Sequence, residues 1–529
     1  MMKADLVATN ANIITVDRKL PRAQALAVWG DTFASVGKND EIESLIGKDT
    51  EVLDLKGKTV LPGLIDAHIH VLSSGISHVT TVDCGLGSIA EIKAALKERV
   101  LITRSGEWVR GFKYDDMKTS EGRGINRKDL DEVSIIHPIF LAHRGGHTFY
   151  LNSKAMEVAG IREGSVAPTG GKYDTDPDTG KLNGVIHERA ANHITQDLLP
   201  GIDRAKRLEG LKFISRMFNS SGLTSVHDAM VGNENLSVYQ GCLENGELSL
   251  RVYALIGFDS FKCLSACGIK TGFGDPMLRI GGIKLVADGA IAGRTAYLSR
   301  PYEGSTDDRG ILAMEPEELE EKVSAVHEAG FQSCVHANGD SAIEMVLSAY
   351  EKALKSSPRE NCRHRIEHGT VITPSILERL KRLGCVVTPF CTYIYYHGDK
   401  MKFYGEERVS MMFAHRSFLD KGIISTGATD YSPGPYQPLL SIQSMATRTD
   451  MDGNVWGANQ RVSVEEAIRI YTLHGAYASF EEDIKGSIEV GKLADFVVLG
   501  DDPTRVDPGE IKDIPVERTI VGGKTVFQL

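Results

Sequence analysis

The sequence predicts an α/β protein, namely a (β/α)8 TIM barrel with a small β-sandwich domain made from both termini and an inserted capping subdomain. Three observations predict this fold class. Short apolar runs alternate with amphipathic helical segments through the middle of the chain, eight strand candidates can be counted there, and both ends have strand-and-turn composition instead. The predicted boundaries are residues 1–60 plus 484–529 for the β-sandwich, 61–72 plus 209–483 for the barrel, and 73–208 for the inserted subdomain.

The eight strand candidates are short, apolar and bounded by turn residues. In chain order they are LPGLIDAHIH, TSVHDA, LRVYALIG, GGIKLVADG, FQSCVHANG, HRIEHG, GCVVTPF and IISTGATD. Amphipathic stretches such as EPEELEEKVSAVHEAG and TPSILERLKRLG fall between them and end in glycine, which is a helix stop signal. Strands that alternate with helices indicate βαβ units and a parallel sheet, and eight of them are the number that a (β/α)8 barrel requires.

The two ends of the chain and the region after the first strand candidate depart from this pattern. Segments such as LVATNANIITVD and ERTIVGGKTVFQL have the composition of strands and turns, so we expect the two termini to form one small β-domain. Roughly 130 residues, from about Ser73 to about Leu208, separate the first two strand candidates, far more than a usual βα connection. We interpret them as a subdomain inserted over the mouth of the barrel.

The composition excludes several classes of partner. Hydrophobic residues make up 42% and charged residues 25% of the chain, as in ordinary globular proteins. The net charge of −11 argues against nucleic acid or an anionic membrane as the main partner, so we expect a small-molecule substrate. We find no signal peptide, no membrane-spanning stretch and no CxxC pair among the eight cysteines, and we therefore predict a reduced, cytoplasmic protein.

A pair of histidines ends the first strand candidate. His68 and His70 are separated by one residue, and side chains at positions i and i+2 of a strand point to the same side. Both imidazoles can therefore aim at one point at the C-terminal end of the strand, where barrel active sites form. The alternative is two solvent-facing histidines, and only further ligands elsewhere in the chain distinguish the two interpretations.

Further candidate ligands stand at the ends of later strand candidates. Lys284 lies in GGIKLVADG, His336 ends FQSCVH, His368 ends HRIEH and Asp430 ends IISTGATD. An unpaired ammonium would be costly in the apolar strand of Lys284. For His336 alone, a hydrogen-bonded core histidine is an equal alternative. Core packing does not explain four imidazoles, a lysine and a carboxylate at one rim, so we predict a metal site.

These motifs resemble those of the amidohydrolase superfamily of metal-dependent hydrolases. The order HxH, Lys, His, His, Asp on strands one, four, five, six and eight is similar to the ligand order of that superfamily. LPGLIDAHIH resembles its opening signature and GSIEVGKLADFVVL its closing one. GHTFYLNSKAM, IKLVADGAIAGRTAYL, VHANGD and RIEHG are similar to the amidohydrolase 3 (YtcJ-like) branch, which includes N-substituted formamide deformylases. The resemblance extends over nearly the whole chain.

The resemblance implies a set of metal ligands. His68 and His70 would hold the more buried ion with help from Asp430, and His336 and His368 would hold a second ion. Zn²⁺ is the expected metal because imidazole-rich sites with one or two carboxylates suit it, although this ligand set leaves Mn, Fe, Co and Ni open.

The resemblance also gives Lys284 a particular role. In the superfamily, CO₂ carboxylates this lysine to a carbamate that bridges two metals, which turns a buried cation into an anionic ligand. The alternative keeps Lys284 as an amine, hydrogen-bonded or poised as a base, with one metal only. The superfamily also commonly forms dimers, so a homodimer is an expectation for this chain.

Such a centre would hydrolyse a C–N bond, most simply an amide. A metal lowers the pKa of bound water toward about 7 and polarises the substrate carbonyl. Asp430 is the expected general base, which accepts the proton of the water and passes it to the leaving amine. Deaminases of the superfamily carry a glutamate where this chain has Gly339, and they lack the lysine of strand four. Cyclic amides remain open as substrates, and a non-catalytic scaffold would have lost ligands that this chain retains.

The loop after strand four supplies one group of candidate substrate contacts. Asp288, Arg294 and Tyr297 are expected close to the metals. Arg294 suits a carboxylate or a carbonyl, and a structural salt bridge is an equal alternative.

The insert supplies the second group of candidate substrate contacts. By the resemblance, Trp108, Arg110 and His147 would line the pocket, with a loop histidine and core filling as the alternatives for His147 and Trp108. His227, at the end of strand two, is expected to support the ligands from behind.

Overall fold

The structure is a computed structural model that describes residues 3–146, 148–168 and 171–529. Its contacts divide the chain into two compact units. One unit comprises the residues up to Val71 together with Ser215–Leu529, and the other comprises Leu72–Ile214. All six predicted metal ligands belong to the first unit.

The first 70 residues are mostly short strands joined by tight turns. They contain β1 (Leu6–Thr9), β2 (Asn12–Ile14), β3 (Arg22–Ala23), β4 (Ala25–Trp29), β5 (Thr32–Gly37), α1 (Asn39–Glu43), β6 (Glu51–Asp54), β7 (Thr59–Pro62) and β8 (Leu64–Ile69). All six residues of β8 are buried, which agrees with its prediction as the first strand of a buried sheet.

The second unit has its own six-stranded sheet. Its elements are α2 (Val71–Thr80), β9 (Val82–Asp83), α3 (Ile89–Ile102), β10 (Val109–Tyr114), α4 (Arg127–Asp131), β11 (Ile139–His143), β12 (Thr148–Leu151), α5 (Ser153–Val158), β13 (Gly171–Thr175), β14 (Leu182–Glu188) and α6 (Arg204–Asn219), which continues into the first unit. The strand order is β13-β14-β12-β11-β10-β9. This sheet was not predicted from the sequence, although β14 shows the alternating burial that signals one covered face.

Strands and helices alternate in the remainder of the chain. The elements are β15 (Leu223–Val231), α7 (Asn233–Glu244), β16 (Arg251–Gly257), α8 (Phe258–Ala266), β17 (Leu278–Val286), α9 (Pro316–Glu328), β18 (Ser333–Ala337), α10 (Asp340–Ser356), β19 (Arg365–His368), α11 (Pro374–Leu383), β20 (Val386–Thr388), α12 (Tyr393–His397), α13 (Gly405–Val409), α14 (His415–Lys421), α15 (Pro438–Thr447), α16 (Val464–Ile470), α17 (Leu473–Ala478), β21 (Phe496–Leu499), β22 (Val516–Val521) and β23 (Lys524–Gln528).

Six of these strands, β15 to β20, form one parallel sheet with β8. Its order is β20-β19-β18-β17-β16-β15-β8, so β15 to β20 pair in chain order and β8 pairs with β15. The strands are covered on both faces, as βαβ connections require, and eight of the nine residues of β15 are buried. On the outside, α10 buries Ile343, Val346, Leu347 and Tyr350 at helical spacing. The predicted α/β class is therefore confirmed.

The last strand candidate, IISTGATD, closes most of the gap between the two edges of this sheet. Ser425 makes a parallel bridge with Val387 of β20. On its other side, the backbone N–H of Ala67 in β8 donates to Gly427 O at 2.8 Å. Among the described residues this segment does not form a continuous strand. The parallel sheet therefore has seven strands and is nearly closed.

Strands from both ends of the chain share a second sheet system. One sheet has the order β5-β4-β1-β6 and the other has the order β23-β22-β21-β7-β2-β3. In the second sheet β21 is antiparallel to β7, with Val498 opposite Val60. The rings of Phe33 and Phe496, one from each sheet, are 6.1 Å apart and belong to one hydrophobic cluster.

The structure also bears on the predictions about cysteines and membrane spans. All eight cysteines are free thiols, and six of them are buried. In the part of the chain that the structure describes, no helix is long and apolar enough to cross a bilayer.

The β17 strand contains a glycine at which there is no space for a side chain. A Cβ at Gly282 would overlap Cys334 Sγ and would lie 2.6 Å from the backbone oxygen of Gln332. Because this backbone cannot yield, we expect Gly282→Ala to lower the free energy of unfolding by about 1–3 kcal/mol, measured by urea unfolding. Gly201→Ala is the matched control, since a Cβ there meets no atom within 4 Å. Equal stability of the two variants would contradict this prediction.

Candidate metal centre

The predicted ligands lie at the C-terminal edge of the parallel sheet. They are His68, His70, Lys284, His336, His368 and Asp430. The register aligns the strand ends, because His336 lies opposite Val286 of β17 and His368 lies opposite Ala337 of β18. Since the C-terminal ends of parallel strands meet at one edge, these side chains share one rim, where barrel-type active sites form.

His68, His70 and Asp430 converge on one point. Asp430 Oδ1 lies 3.5 Å from His68 Nε2 and 3.2 Å from His70 Nε2. One ligand atom from each of the three residues lies within 4.8 Å of the other two. Asp430 Oδ1 is buried and accepts no hydrogen bond from the residues that the structure describes. A divalent cation would complete this set of two imidazole nitrogens and a buried carboxylate oxygen.

Hydrogen bonds determine which nitrogen of each histidine faces this point. His68 Nδ1 contacts Glu367 Oε2, and His70 Nδ1 donates to the backbone oxygen of Ala229 at 3.1 Å. In a neutral imidazole, a donating nitrogen leaves the other nitrogen with a free lone pair. Nε2 of both histidines is therefore available as a metal ligand.

His336 and His368 form a second pair of imidazoles. His336 Nε2 lies 3.0 Å from the carbonyl oxygen of Gly289, which can only accept, so Nδ1 is the nitrogen left for a metal. The ring centroid of His368 is 4.5 Å from that of His336 and 4.8 Å from that of His68. Burial lowers the pKa of His336 to about 3, so this imidazole is neutral, as a metal ligand must be.

Two of the ligands have a strained backbone. His368 has φ = +70° and Asp430 has φ = +51°, in the left-handed region that side chains other than glycine seldom adopt. In a regular strand, Glu367 and His368 would point to opposite faces. The positive φ of His368 breaks this alternation, and both neighbours reach His68, Glu367 through a hydrogen bond and His368 through a ring contact.

Burial controls the charge of the remaining two groups. Lys284 is only 3% exposed, and its pKa is lowered by burial against the opposing effect of the Glu367 and Asp430 carboxylates. No hydrogen bond to Lys284 Nζ is found among the described residues. Burial by itself would raise the pKa of Asp430, but the neighbouring imidazoles of His70, His368 and His68 hold it well below its ordinary value. Asp430 is therefore anionic.

Asp288, a predicted substrate contact in the loop after β17, binds backbone N–H groups with its carboxylate oxygens. It is 1% exposed, and its oxygens accept the backbone N–H groups of Tyr297, Asn338 and Gly339 at 2.8–2.9 Å. These bonds tie the loop after β17 to the turn after β18. These contacts indicate a positioning role for this carboxylate, and its predicted contact with substrate stays a prediction.

The other two predicted contacts of this loop lie against aromatic and apolar side chains. Arg294 is exposed, and its guanidinium lies 4.8 Å from the ring centroid of Phe403. This is a cation–π contact, and the predicted contact of Arg294 with a substrate carboxylate or carbonyl stays a prediction. Tyr297 is half-buried and packs against the hydrophobic cluster of α9, α10 and β18.

The predicted contacts of the insert lie in the second unit. Trp108 is half-buried and packs against the cluster that contains Phe140 and Leu151, which agrees with the core-filling alternative. Arg110 lies in β10 opposite Phe140, and burial, with Arg99 nearby, lowers its pKa. His147 lies outside the described residues.

Two charged residues beneath the metal ligands were not among the predicted site residues. Arg365 and Glu367 are both 0% exposed, and the RIEHG motif that contains them served only for the resemblance. The available signal was an arginine and a glutamate two residues apart in a buried strand, where unpaired charges are not tolerated. His227, predicted to support the ligands from behind, accepts a hydrogen bond from Arg365 Nη1 at 2.9 Å.

A second group of possible metal ligands has a structural explanation. His327, Cys362 and His364 lie at the opposite end of β19. His364 Nδ1 accepts the backbone N–H of Ser333 at 3.0 Å, so its proton is on Nε2, which donates to His327 Nδ1 at 2.9 Å. His327 Nε2 in turn donates to Ser357 O at 2.7 Å. All four ring nitrogens are therefore used in one hydrogen-bonded chain.

The fold and the site together define a class of protein. A nearly closed parallel α/β sheet that carries histidines, a lysine and an aspartate at its C-terminal edge is the framework of a metal-dependent hydrolase. The chain belongs to the amidohydrolase family, whose model matches residues 51–527, and the resemblance seen in the motifs is confirmed. It is a metal-dependent hydrolase of carbon–nitrogen bonds.

Individual relatives are similar over almost their whole length. The chain is 30% identical over 533 residues to an N-substituted formamide deformylase of Arthrobacter pascens, which covers 98% of this chain and 97% of that protein. It is 27% identical over 534 residues to the amidohydrolase YtcJ of Bacillus subtilis, with 98% of both chains covered. An uncharacterized metal-dependent hydrolase from Pyrococcus horikoshii has a similar structure, with a TM-score of 0.77, 25% identity, and coverage of 95% of this chain and 99% of that one.

Proposed function

We propose that the protein hydrolyses the amide bond of a small N-acyl amine, with an N-substituted formamide as the first substrate to test. The observation that supports this function is the position of Asp430. Its anionic Oδ1 lies beside Nε2 of both His68 and His70, where it can hold a metal and accept a proton. The similarity to a formamide deformylase supports the choice of substrate.

In the proposed centre, His68, His70 and Asp430 would hold one Zn²⁺ ion, His336 and His368 would hold a second, and Lys284 would contribute to both as a carbamate. The imidazoles fall into two groups, the HxH pair beside Asp430 and the pair formed by His336 and His368, as two ions require. The lowered pKa of Lys284 favours its neutral amine, which adds to CO₂ and loses one proton to give an anionic carbamate. This change would replace a buried cation by a ligand oxygen pair. The alternative is one ion and an unmodified amine.

The side chains around the metal site have separate roles in hydrolysis. A bound divalent ion would supply Lewis acidity, which lowers the pKa of water and polarises the amide carbonyl. Asp430 accepts the proton of the attacking water and delivers it to the nitrogen of the leaving amine. Glu367 and the carbonyl oxygens of Ala229 and Gly289 keep the imidazoles in their ligating orientation.

The structure argues against the deaminase alternative. Deaminases of the superfamily need a glutamate at the position of Gly339. A Cβ at Gly339 would overlap the backbone of Tyr297, so no larger side chain fits there in this fold. Cyclic amides remain the second candidate substrates, because their hydrolysis needs the same groups.

The finer architecture and assembly are part of the proposal. We infer that residues 423–430 are the eighth strand of a (β/α)8 barrel, which the hydrogen bonds to β20 and β8 support. The shared core of Phe33 and Phe496 supports a β-sandwich made by the terminal sheets. The capping role of residues 73–208, a cytoplasmic location and a homodimer stay predictions.

The first experiment combines metal analysis with a substrate panel. Protein purified without added metal is analysed for transition metals and assayed with N-formyl and N-acetyl amines. About two equivalents of zinc and activity that is lost on chelation would support the proposal. One equivalent with activity would favour the mononuclear alternative. Absence of metal, with no activity after any divalent ion is added, would contradict the proposal and leave a scaffold.

The role of Asp430 gives a second prediction. Asp430→Asn removes the proton acceptor but keeps an oxygen ligand, so we expect kcat to fall by about 10²–10⁴-fold. The measurement is kcat on an N-formyl amine, together with the bound metal of the same sample. Asp452→Asn, at an exposed aspartate, is the control. Activity within a few fold of wild type in Asp430→Asn would exclude it as the base.

A further inference from the structure

We propose that Glu367, locked by Arg365, positions His68 and makes the ion held by His68, His70 and Asp430 the more tightly bound of the two. This inference rests on the binuclear centre proposed above and assigns its two positions unequal affinities. It gives a function to the charged residues of the RIEHG motif that are not metal ligands.

The contact between Glu367 and His68 is a direct hydrogen bond between buried side chains. Glu367 Oε2 accepts from His68 Nδ1, although the two residues are 299 positions apart in the sequence. Their side chains are 0% and 1% exposed. Both side chains are buried, and this hydrogen bond holds the ring of His68 with Nε2 toward Asp430.

Arg365 holds the glutamate in this orientation. Its Nε donates to Glu367 Oε1 at 2.6 Å and its Nη2 to Glu367 Oε2 at 2.9 Å, a bidentate ion pair. Its Nη1 donates to Nδ1 of His227 at 2.9 Å. Both Glu367 oxygens and both terminal nitrogens of Arg365 therefore form hydrogen bonds. These bonds fix the Glu367 side chain in the orientation in which it also accepts from His68.

The orienting hydrogen bonds of His70 and His336 end on neutral oxygens. His70 Nδ1 donates to the carbonyl of Ala229 at 3.1 Å, and His336 Nε2 donates to the carbonyl of Gly289 at 3.0 Å. Asp288 Oδ1 lies farther from His336 Nε2, at 3.5 Å, and already accepts the backbone N–H of Asn338 at 2.9 Å. An ionised acceptor forms a stronger hydrogen bond than a carbonyl and makes the opposite ring nitrogen a better donor to a metal. The ion that His68 binds should therefore be held more tightly than the ion at His336 and His368.

A purely structural ion pair is the competing explanation. Glu367 and Arg365 are buried, and a buried pair can support folding without affecting a metal. The two explanations differ in what a variant changes. A structural pair affects stability alone, whereas a positioning role changes metal affinity, and only for one of the two ions.

The test is a zinc titration in competition with a chromophoric chelator. In Glu367→Gln we expect the tighter of the two binding steps to weaken by about 10–100-fold and the weaker step to remain unchanged. Glu481→Gln is the matched control. Glu481 is 3% exposed and pairs with Lys485 at 2.8 Å, but it contacts no metal ligand, so both steps should remain as in wild type.

A double variant covers the case in which Glu367→Gln fails to fold. Arg365→Met combined with Glu367→Leu removes both buried charges and is expected to fold, yet the tight step should still weaken. Unchanged affinity in the variants, or equal weakening of both steps, would overturn the inference. A wild-type protein that binds a single ion would refute the binuclear centre instead. In that case the inference requires that Glu367→Gln lowers the affinity of the protein for that single ion.

Discussion

If the centre is binuclear as proposed, Lys284→Ala is expected to bind one equivalent of metal where the wild-type protein binds two. It is also expected to lower kcat/KM for an N-formyl amine by on the order of 10³-fold or more, because the bridging ligand and one Lewis-acid position are lost together. Lys284 is 3% exposed, with a pKa that burial lowers, so its amine is suited to carboxylation. Metal analysis and steady-state kinetics on the same preparation measure both effects.

Two further measurements isolate the carbamate from other effects of Lys284→Ala. Alanine leaves space beside the ligands that a small carboxylate can occupy, so acetate should restore part of the activity to this variant. In wild-type protein prepared with ¹³C-labelled bicarbonate, a carbamate carbon should be visible by NMR. Lys421→Ala, in an exposed ion pair with Glu378, is the control for removal of a lysine. Two bound ions and normal activity in Lys284→Ala would contradict the bridge and favour the amine alternative.

Asp495→Ala is expected to lower the free energy of unfolding by about 3–5 kcal/mol. Asp495 pairs with Arg251 of β16 through Nε to Oδ2 at 2.7 Å and Nη2 to Oδ1 at 2.9 Å, and its Oδ1 also accepts the backbone N–H of Gly522 at 2.8 Å. Arg251 and Asp495 are 3% and 5% exposed. The large effect follows because alanine leaves a guanidinium buried without its counterion.

Urea unfolding of matched variants checks this explanation. Asp501→Ala, at an exposed aspartate six residues away, should leave stability within about 0.5 kcal/mol of wild type. Arg251→Met combined with Asp495→Leu removes both charges, so it should be more stable than Asp495→Ala. If the double variant were less stable than the single one, the uncompensated charge would not be the cause.

This ion pair explains why the closing signature GKLADFVVL is part of the fold rather than of the chemistry. Asp495 precedes β21, a strand of the terminal sheet, whereas Arg251 lies in β16 of the parallel sheet. The pair therefore connects two sheets whose strands are far apart in the chain. Its loss should affect stability and leave the metal ligands in place.

Local periodicity was sufficient to predict much of the framework. TPSILERLKRLG was predicted as a helix and forms α11, where Thr373 accepts the backbone N–H of Ile376 and Gly384 ends the helix with φ = +62°. His68 and His70 could be placed on one side of β8 because side chains alternate in a strand. These features depend on residues within a few positions of each other, so the sequence alone determined them.

Contacts between distant segments were decided only by the tertiary structure. Because side chains alternate along a strand, Glu367 and His368 would be expected on opposite faces. In the structure the positive φ of His368 breaks this alternation, and both residues reach His68. His68 lies 299 positions before Glu367 in the sequence. The position of Asp288 after β17 does not reveal that its oxygens bind backbone N–H groups of its own loop and of the turn after β18. The sequence determined which residues could bind a metal, because periodicity is local. The fold decided which groups hold them in place, because left-handed backbone and pairing across strands leave no periodic signal.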